Sequence, residues 1–215
     1  MRTGATSRLS PWLAVVAVIA LGAVYYSQGV APNIHPKRFG VVEAGVVYRS
    51  GVLTPEATRR IVQRHGIRTI IDLGAADSAS RADRLAQRTA EALGVTRYRL
   101  ELSGDGTGNP NCYLYALRLA TDEKYQPVLI HCGAGTERTG VAVALYRMLI
   151  EGWTREEAMA EAEAAGHDPD RNTQFSTTLD DIVWRIGRAL SDEAWVTDAD
   201  PLTPEQLAPT NAGRD

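Results

Sequence analysis

The feature that most constrains the fold is an uninterrupted apolar run that leads directly into a glycine-containing turn. Residues 127–131 read Pro-Val-Leu-Ile-His, and the next nine residues, from Cys132 to Gly140, contain three glycines. Apolar runs without polar alternation are typical of strands that are covered on both faces, as in parallel sheets. Residues 138–151 then have a helical pattern that ends at Gly152. We therefore expect a central buried strand that turns directly into a helix.

Strand and helix signals alternate along the surrounding chain. Strands are predicted on both sides of residues 43–45 and over residues 69–73 and 96–102. Capping residues, early acidic residues and terminal glycines predict further helices at residues 54–66, 80–93, 112–124, from 154 onward and 176–195. This alternation predicts a three-layer α/β domain over residues 39–196, with a mainly parallel central sheet flanked by helices.

The N-terminal residues, 1–29, have the composition of a membrane-directed segment. An apolar run extends from Trp12 to Tyr26, and no charged residue lies between Arg8 and Lys37. The run would rise only ~22 Å as a helix, but about five more residues would bring it close to the ~30 Å of a hydrocarbon core. Positive charge before the run favours a single-pass anchor with the domain outside the cytoplasm. A cleaved signal peptide, followed by export, is the alternative.

Composition assigns the two remaining segments and excludes several classes of protein. Residues 30–38 contain two prolines and no hydrophobic period, which predicts a linker. Residues 197–215 contain three prolines and four acidic residues, which predicts a disordered acidic tail. The net charge of −3 argues against a nucleic-acid partner. Two cysteines are too few for a disulfide-rich scaffold or a four-cysteine zinc site.

The residues with the clearest chemistry lie in the turn after the predicted central strand. Cys132 and Arg138 are separated by five residues at a strand-to-helix junction. Backbone N–H groups in such a turn can point inward as an anion-binding nest, with the positive end of the helix dipole behind them. Arg138 can bind two oxygens of one phosphate group. The expected phosphate-binding residues are Gly133, Ala134, Gly135, Thr136, Glu137 and Arg138.

The same nest is expected to hold Cys132 as a thiolate, which is the nucleophilic form of cysteine. His131 is expected to orient the loop rather than to act as a base, because a thiolate needs none. Thr139 could donate its hydroxyl to the sulfur and so make it a better leaving group. No metal or cofactor is predicted, because one histidine and one cysteine adjacent in sequence cannot complete a tetrahedral zinc site.

The ten residues 131–140 resemble the signature of the cysteine-based protein tyrosine phosphatase superfamily, H-C-x-x-G-x-x-R-[ST]-G. All six fixed positions match: His131, Cys132, Gly135, Arg138, Thr139 and Gly140. Residues 39–51, 70–73 and 127–132 also resemble the atypical dual-specificity phosphatases of the plant and fungal type and their bacterial relatives. The resemblance covers residues 39–185. It implies that family's fold and metal-independent hydrolysis of phosphate monoesters through a cysteinyl-phosphate intermediate.

The resemblance also implies a phosphorylated partner. Phosphotyrosine in a protein, with phosphoserine or phosphothreonine as further substrates, is the favoured reading. A lipid phosphate, an inositol phosphate or another small phosphomonoester is the alternative, and a non-catalytic phosphate-binding adaptor is a third interpretation. Many relatives carry lysine after the second loop glycine, whereas Thr136 and Glu137 stand here. The absence of that positive charge disfavours polyphosphorylated substrates.

The leaving oxygen needs a proton, which the superfamily takes from an aspartate on an upstream loop. Asp105 lies between two glycines, 27 residues before Cys132, and is the candidate general acid. An ordinary turn residue is the alternative interpretation, because Gly-Asp-Gly is common turn chemistry. Asp72, inside an apolar strand, and Asp83, on the following helix, are weaker candidates.

Two further residues, Arg49 and Cys112, each have two possible interpretations. Arg49 lies in a Tyr-Arg-Ser element that resembles the family, where it is structural or adjacent to substrate, and a solvated surface arginine is the alternative. Cys112 is the only cysteine that could form an intramolecular disulfide with Cys132, and oxidation would block the nucleophile. An inert buried thiol is the favoured interpretation of Cys112.

Overall fold

The computed structural model describes residues 11–210, and contacts divide the chain into two units with the boundary between His35 and Pro36. The described part of the first unit is helical: α1 Pro11–Tyr25, a π-helical segment Tyr26–Val30 and α2 Ala31–Ile34. Most of its large apolar side chains are exposed. The stretch Trp12–Ile34 is 23 residues long, and its mean hydropathy reaches 1.8 over an 18-residue window. Such a helix could be a membrane span or a signal sequence.

The second unit is a mixed α/β domain, as predicted. Its described strands are β1 Gly40–Glu43, β2 Val47–Ser50, β3 Thr69–Asp72, β4 Thr96–Arg99 and β5 Val128–His131. Its described helices are α3 Pro55–His65, α4 Arg81–Leu93, α5 Pro110–Thr121, α6 Glu137–Leu149, α7 Arg155–Ala164, α8 Gln174–Ser191 and α9 Pro204–Leu207.

The five strands form one sheet in the order β1-β2-β5-β3-β4. Only β1 and β2 pair antiparallel, so the prediction of a mainly parallel sheet is confirmed. The apolar run before Cys132 is the central strand β5. The register places Ser50, Asp72 and His131 side by side at the carboxyl ends of β2, β3 and β5. Ligand sites of open parallel sheets lie at this edge.

Side chains alternate between the two faces of the sheet, and both faces are covered. Ile71 and Ile130 point to the larger core, which also contains the buried side chains of α5, α6 and α8. Ile70 and Leu129 point to a smaller core, which includes Ile61 of α3. Burial on both faces explains why β3 and β5 are apolar without a polar alternation.

Side-chain caps begin several of the helices. The Thr54 side chain accepts a hydrogen bond from the Ala57 N–H at the start of α3. Thr154 and Glu157 form a complete capping box at the start of α7. Caps of this kind satisfy N–H groups that have no partner within the helix. Side chains within three positions of each helix start therefore account for the predicted starts of α3 and α7.

The structure differs from the expected linker and tail. Within residues 30–38, expected as a linker, Lys37 and Arg38 donate hydrogen bonds to the loop that follows β5. Within residues 197–215, expected as a disordered tail, the chain is ordered and packed as far as Thr210. Leu202 is buried, and the Thr210 N–H donates to the Arg97 carbonyl oxygen at 2.7 Å. These contacts are made with residues distant in sequence, so composition alone did not indicate them.

A buried ion pair lies beneath the carboxyl edge of the sheet. Arg97 Nη2 is 2.6 Å from Asp72 Oδ2 and 2.7 Å from Asp83 Oδ1, with 3% of the Arg97 side chain exposed. Burial alone would raise the pKa of Asp72, but the neighbouring His131, then Arg97 and the N–H of Ala75, outweigh it and hold that pKa below its usual value. Asp72 is thus an ionised structural carboxylate, in line with its reading as a weaker candidate acid.

Replacement of the buried cation should destabilise the domain strongly. In Arg97→Met, Asp72 would remain buried without its charge partner, and we expect a loss of ~3–5 kcal/mol in unfolding free energy. The control Arg59→Met, which breaks an exposed pair with Glu56, should cost ~0–1 kcal/mol. Urea denaturation of the full chain in detergent at neutral pH measures both.

Acidification should reduce the difference between Arg97→Met and wild type. Because the pKa of Asp72 is lowered in the folded wild-type protein, its stabilising contribution is present above the unfolded pKa and is lost as pH falls through the folded value. A difference that grew on acidification would contradict this assignment.

Candidate active site

The candidate site is the turn that joins β5 to α6. Cys132 follows β5 directly, and α6 begins at Glu137. The N-terminus of a 13-residue helix therefore faces the turn. The unpaired N–H groups and the dipole of a helix N-terminus favour a negative charge there.

The carbonyl groups of the loop face outward and are bound from outside. Three consecutive carbonyl oxygens accept hydrogen bonds from cationic side chains. These are Gly133 O from Lys37 Nζ at 3.0 Å, Ala134 O from Arg38 Nη1 at 3.1 Å and Gly135 O from Arg49 Nη2 at 2.7 Å. The N–H of Val52 also donates to Gly133 O at 3.2 Å.

This arrangement directs the loop N–H groups inward. A trans peptide unit is planar, with its N–H opposite its C=O, so outward carbonyls place the following N–H groups on the inner side. The inward direction is seen at Gly135, whose N–H donates to Cys132 Sγ at 3.2 Å. Cys132 is 1% exposed. The structure thus places a buried cysteine sulfur within hydrogen-bond distance of a loop N–H, and the anion-binding role of the loop remains a prediction.

Arg49 is part of the wall of this loop. It is 4% exposed, which rules out the solvated surface interpretation. Burial lowers its pKa, although the negative charges of Glu161 and Cys132 act in the opposite direction. Its guanidinium contacts the loop from outside, which is a structural position. The sequence analysis placed Lys37 and Arg38 in the linker and did not identify them as site residues. Their position just before β1 is the one sequence signal that could have indicated a contact with the loop.

One edge of the Arg138 guanidinium is held by the protein. Arg138 Nη1 donates to Leu73 O at 3.0 Å, to Gly74 O and to Leu102 O at 3.5 Å, in the loops after β3 and β4. Arg138 Nε is buried and has no hydrogen-bond partner among the described residues. Because a guanidinium is planar, fixing Nη1 fixes the direction of the Nε and Nη2 edge. That edge is suited to two oxygens of a phosphate group.

The flanking motif residues are buried. Burial lowers the pKa of His131, whose Nε2 lies 3.8 Å from Asp72 Oδ2, and so favours the neutral imidazole. Thr136 O accepts the N–H of Gly140 at 2.6 Å and so begins α6. The Thr139 hydroxyl is buried and has no hydrogen-bond partner among the described residues, so the expected bond to Sγ is not formed here. The role of Thr139 toward the sulfur remains a prediction.

Asp105 lies on an exposed loop that packs against the start of α6. A Cβ added at the neighbouring Gly106 would lie 3.8 Å from the Glu137 Cβ. Asp105 Oδ1 accepts the hydroxyl of Thr107 at 2.7 Å and its N–H at 3.0 Å. These two bonds, the hydroxyl first, lower the pKa of Asp105, and the charge of Arg138 acts in the same direction. The structure therefore brings Asp105 close to the loop but holds it as a carboxylate.

Glu137 does not face the inside of the loop. Its carboxylate binds Asn172 and His167 in the connection between α7 and α8. Neither residue was identified from the sequence, because Asn172 is 35 positions from Glu137 and carries no motif.

Cys112 is a free buried thiol on α5, and Cys132 is also free. Burial raises the pKa of Cys112 to about 12. A thiol with so high a pKa is almost fully protonated at neutral pH and reacts slowly. These properties favour the interpretation of Cys112 as an inert core residue.

Comparison with known proteins agrees with this geometry. The family model described as DSP-PTPase phosphatase fused to NAD+ kinase matches residues 31–180. The dual specificity protein phosphatase TpbA of Pseudomonas aeruginosa is 25% identical over 141 residues, which are 66% of this chain and 59% of TpbA. The chain thus spans less than two thirds of the length of that relative.

Solved structures share the fold. A variant of P. aeruginosa TpbA in complex with pTyr has a TM-score of 0.60 and 23% identity, over 77% of this chain and 95% of that chain. The core catalytic domain of the PP-IP phosphatase SIW14 from S. cerevisiae, in complex with citrate, has a TM-score of 0.58 and 21% identity, over 77% and 98%.

The close approach of the loop to the chain after β2 should make Gly135 intolerant of a side chain. Gly135 has φ +82°, and an added Cβ would lie 2.5 Å from the Gly51 nitrogen. We expect Gly135→Ala to lose orthovanadate binding and to cost more than the ~1–2 kcal/mol of a positive φ alone. Gly152→Ala, with φ +75° and no neighbour within 4 Å, is the matched control and should keep wild-type affinity. Isothermal titration and urea denaturation measure the two effects; equal behaviour of the two variants would contradict the role of the contact.

Proposed function

The chain belongs to the DSP-PTPase phosphatase family, and on that premise we propose that it hydrolyses phosphate monoesters with Cys132 as the nucleophile. The observation that carries the proposal is the buried Cys132 sulfur within a loop whose carbonyls face outward, next to the fixed edge of Arg138. Inward N–H groups and a guanidinium together match the three non-bridging oxygens of a phosphoryl group.

In the first step, the Cys132 thiolate attacks phosphorus, and the bond between phosphorus and the leaving oxygen breaks. The loop N–H groups and Arg138 hold the non-bridging oxygens in the transition state. Asp105, in its protonated form, gives its proton to the leaving oxygen, which departs as an alcohol or phenol. The products of this step are the dephosphorylated molecule and a cysteinyl-phosphate.

In the second step, water attacks the phosphorus of the cysteinyl-phosphate. Asp105, now a carboxylate, takes a proton from that water, and the sulfur leaves as a thiolate. Orthophosphate is released, and both Cys132 and Asp105 regain their starting forms. The N–H of Gly135, which lies 3.2 Å from the sulfur, stabilises the thiolate as it leaves.

The substrate favoured here is phosphotyrosine in a protein, with phosphoserine and phosphothreonine as further substrates. The likeness of fold to the TpbA variant in complex with pTyr supports this choice. Lys37 and Arg38 are exposed beside the loop and add positive charge that the loop itself lacks at Thr136 and Glu137. Lipid or inositol phosphates are therefore the competing substrates. We further propose that residues 1–29 remain as an anchor and hold the domain outside the cytoplasm.

Two substitutions test the mechanism. Cys132→Ser should lower kcat for phenyl phosphate by about 10³-fold or more, because a neutral hydroxyl replaces the thiolate. Asp105→Asn should lower it by about 10²–10⁴-fold, because it cannot donate a proton. Steady-state kinetics of the full chain in detergent micelles measure both. Hydrolysis by Cys132→Ser at the wild-type rate would show that the proposed nucleophile is wrong.

A parallel assay with a phosphotyrosine peptide and with phosphatidylinositol phosphate in the same micelles compares the substrate classes. A higher kcat/KM for the peptide supports the protein substrate, and a higher value for the lipid supports the alternative. Tight phosphopeptide binding by the wild type without any turnover would identify an adaptor instead.

The pH profile should depend on Thr107. Its hydroxyl is the largest cause of the lowered pKa of Asp105, so Thr107→Val should raise that pKa. Because the acid must be protonated to act, the descending limb of kcat/KM against pH should move to higher pH. Thr121→Val, which removes a hydroxyl bonded to Leu117 O at the far end of α5, is the control and should leave the profile unchanged. A downward shift in Thr107→Val would contradict the assignment of Asp105.

A further inference from the structure

A side-chain amide bridges the phosphate-binding loop and the loop of the candidate acid. Asn172 Nδ2 donates to Glu137 Oε2 at 2.6 Å and to the backbone oxygen of Asp105 at 2.7 Å. An NH₂ group has two protons, so both bonds can form at once. Glu137 is the residue directly before Arg138. A single amide therefore connects the segments that carry the phosphate-binding arginine and the candidate acid.

The bridging amide is itself held in place. Asn172 Oδ1 accepts the N–H of Gln174 at 3.1 Å, and the Asn172 N–H donates to Asp168 O at 3.0 Å. Both bonds lie at the start of α8, in the connection from α7. They leave the Asn172 NH₂ group directed toward Glu137 and Asp105.

The start of α8 is fixed against α6 by packing. His167 Nδ1 donates to Glu137 Oε2 at 2.9 Å, and the His167 ring stacks on Phe175 with ring centroids 4.1 Å apart. Phe175 is fully buried, and a Cβ added at Gly140 would lie 2.7 Å from its ring. The motif glycine at position 140 thus allows Phe175 to approach α6. Asn172, three residues before Phe175, has a defined position relative to Glu137.

The loop that carries Asp105, residues 103–107, makes few other hydrogen bonds to the rest of the described domain. The Tyr113 hydroxyl donates to Gly106 O at 2.6 Å on one side of the loop. Within the described structure, the other hydrogen bonds of residues 103–107 lie inside the loop itself, from Thr107 to Asp105 and between Ser103 and Thr107 or Gly106. Asp105 is exposed. The bond from Asn172 is therefore the contact that ties the Asp105 backbone to the α6 side of the site.

We propose that Asn172 is a positioning residue for the general acid: through Glu137 and the Asp105 carbonyl, it sets where the Asp105 carboxyl stands relative to a phosphate held by Arg138. The proposal rests on the proposed function, in which Asp105 protonates the leaving group. Small displacements of a catalytic group reduce its rate contribution strongly, because proton transfer requires hydrogen-bond contact.

The substitution Asn172→Asp isolates the bridge. It keeps the side-chain size and the oxygen that accepts the Gln174 N–H. It replaces the donor NH₂ by an oxygen, which cannot bind either Glu137 or the Asp105 carbonyl. Asn172→Ser, which adds no charge and also keeps an oxygen acceptor near the Gln174 N–H, is the second variant if Asn172→Asp does not fold.

Two aryl phosphates distinguish positioning from a general loss of structure. Phenyl phosphate has a poor leaving group that needs a proton, whereas 2,4-dinitrophenyl phosphate has a good one that does not. We expect Asn172→Asp to lower kcat for phenyl phosphate by about 10–100-fold, below the loss expected for complete removal of a general acid. The kcat for 2,4-dinitrophenyl phosphate should stay within about twofold, and KM for both should be unchanged. Stopped-flow and steady-state kinetics of the full chain in detergent measure these values.

A matched control and a double variant complete the experiment. Asp168→Asn is the control, because it is an exposed exchange of the same two residue types in the same connection, and its Oδ1 still accepts the Asp170 N–H. It should leave both rates unchanged. In the Asp105→Asn background, Asn172→Asp should add no further loss with phenyl phosphate, because the two residues act through one proton transfer.

The outcomes separate this inference from the function on which it rests. Equal losses with both substrates, no loss with either, or additive losses in the double variant would overturn the role of Asn172 while Cys132→Ser still abolished turnover. If Asp105→Asn showed no dependence on the leaving group, the acid would lie elsewhere and the role of Asn172 would fall with it. Full activity in Cys132→Ser would instead overturn the proposed function.

Discussion

The site depends on one constraint, the orientation of three successive peptide groups between Cys132 and Thr136. Their carbonyl oxygens face outward because Lys37, Arg38 and Arg49 bind them from outside. Peptide planarity then directs the N–H groups inward, toward the sulfur. Without Arg49, the Gly135 carbonyl would be left unpaired in a buried contact, which is costly. The outer cations thus support the loop orientation on which the proposed anion site depends.

Side-chain orientation explains how a loop with an acidic residue would bind the proposed anion. The Glu137 carboxylate is turned away from the inside of the loop and binds Asn172 and His167 in the connection between α7 and α8. Positive charge comes from Arg138 on the inside and from Lys37 and Arg38 on the outside. Charge counted along the loop sequence therefore differs from the charge that a bound phosphate would meet.

Part of the molecule was predictable from local pattern. The apolar run of β5 and the capping residues Thr54 and Thr154 act through neighbours within a few residues, so the sequence indicated these elements correctly. The roles of Cys132 and Arg138, predicted from their spacing, remain predictions. The central place of β5 also follows, because only a strand covered on both faces can be apolar throughout. The packing of the chain before Thr210 was not predicted, because its contacts are with β4 and α5, far away in the chain.

By itself, the sequence determined the α/β class and the strand-loop-helix motif, and it predicted the residues that would hold and attack a phosphate. These follow from short-range periodicity and from the conformational needs of a tight turn at a helix N-terminus. Only the tertiary structure decided which side chains hold the loop from outside and which tie the Asp105 loop to it. Arg49 and Asn172 reach their partners across 86 and 67 positions. Such contacts exist only once strand order and helix packing have brought the segments together, and no local pattern encodes them.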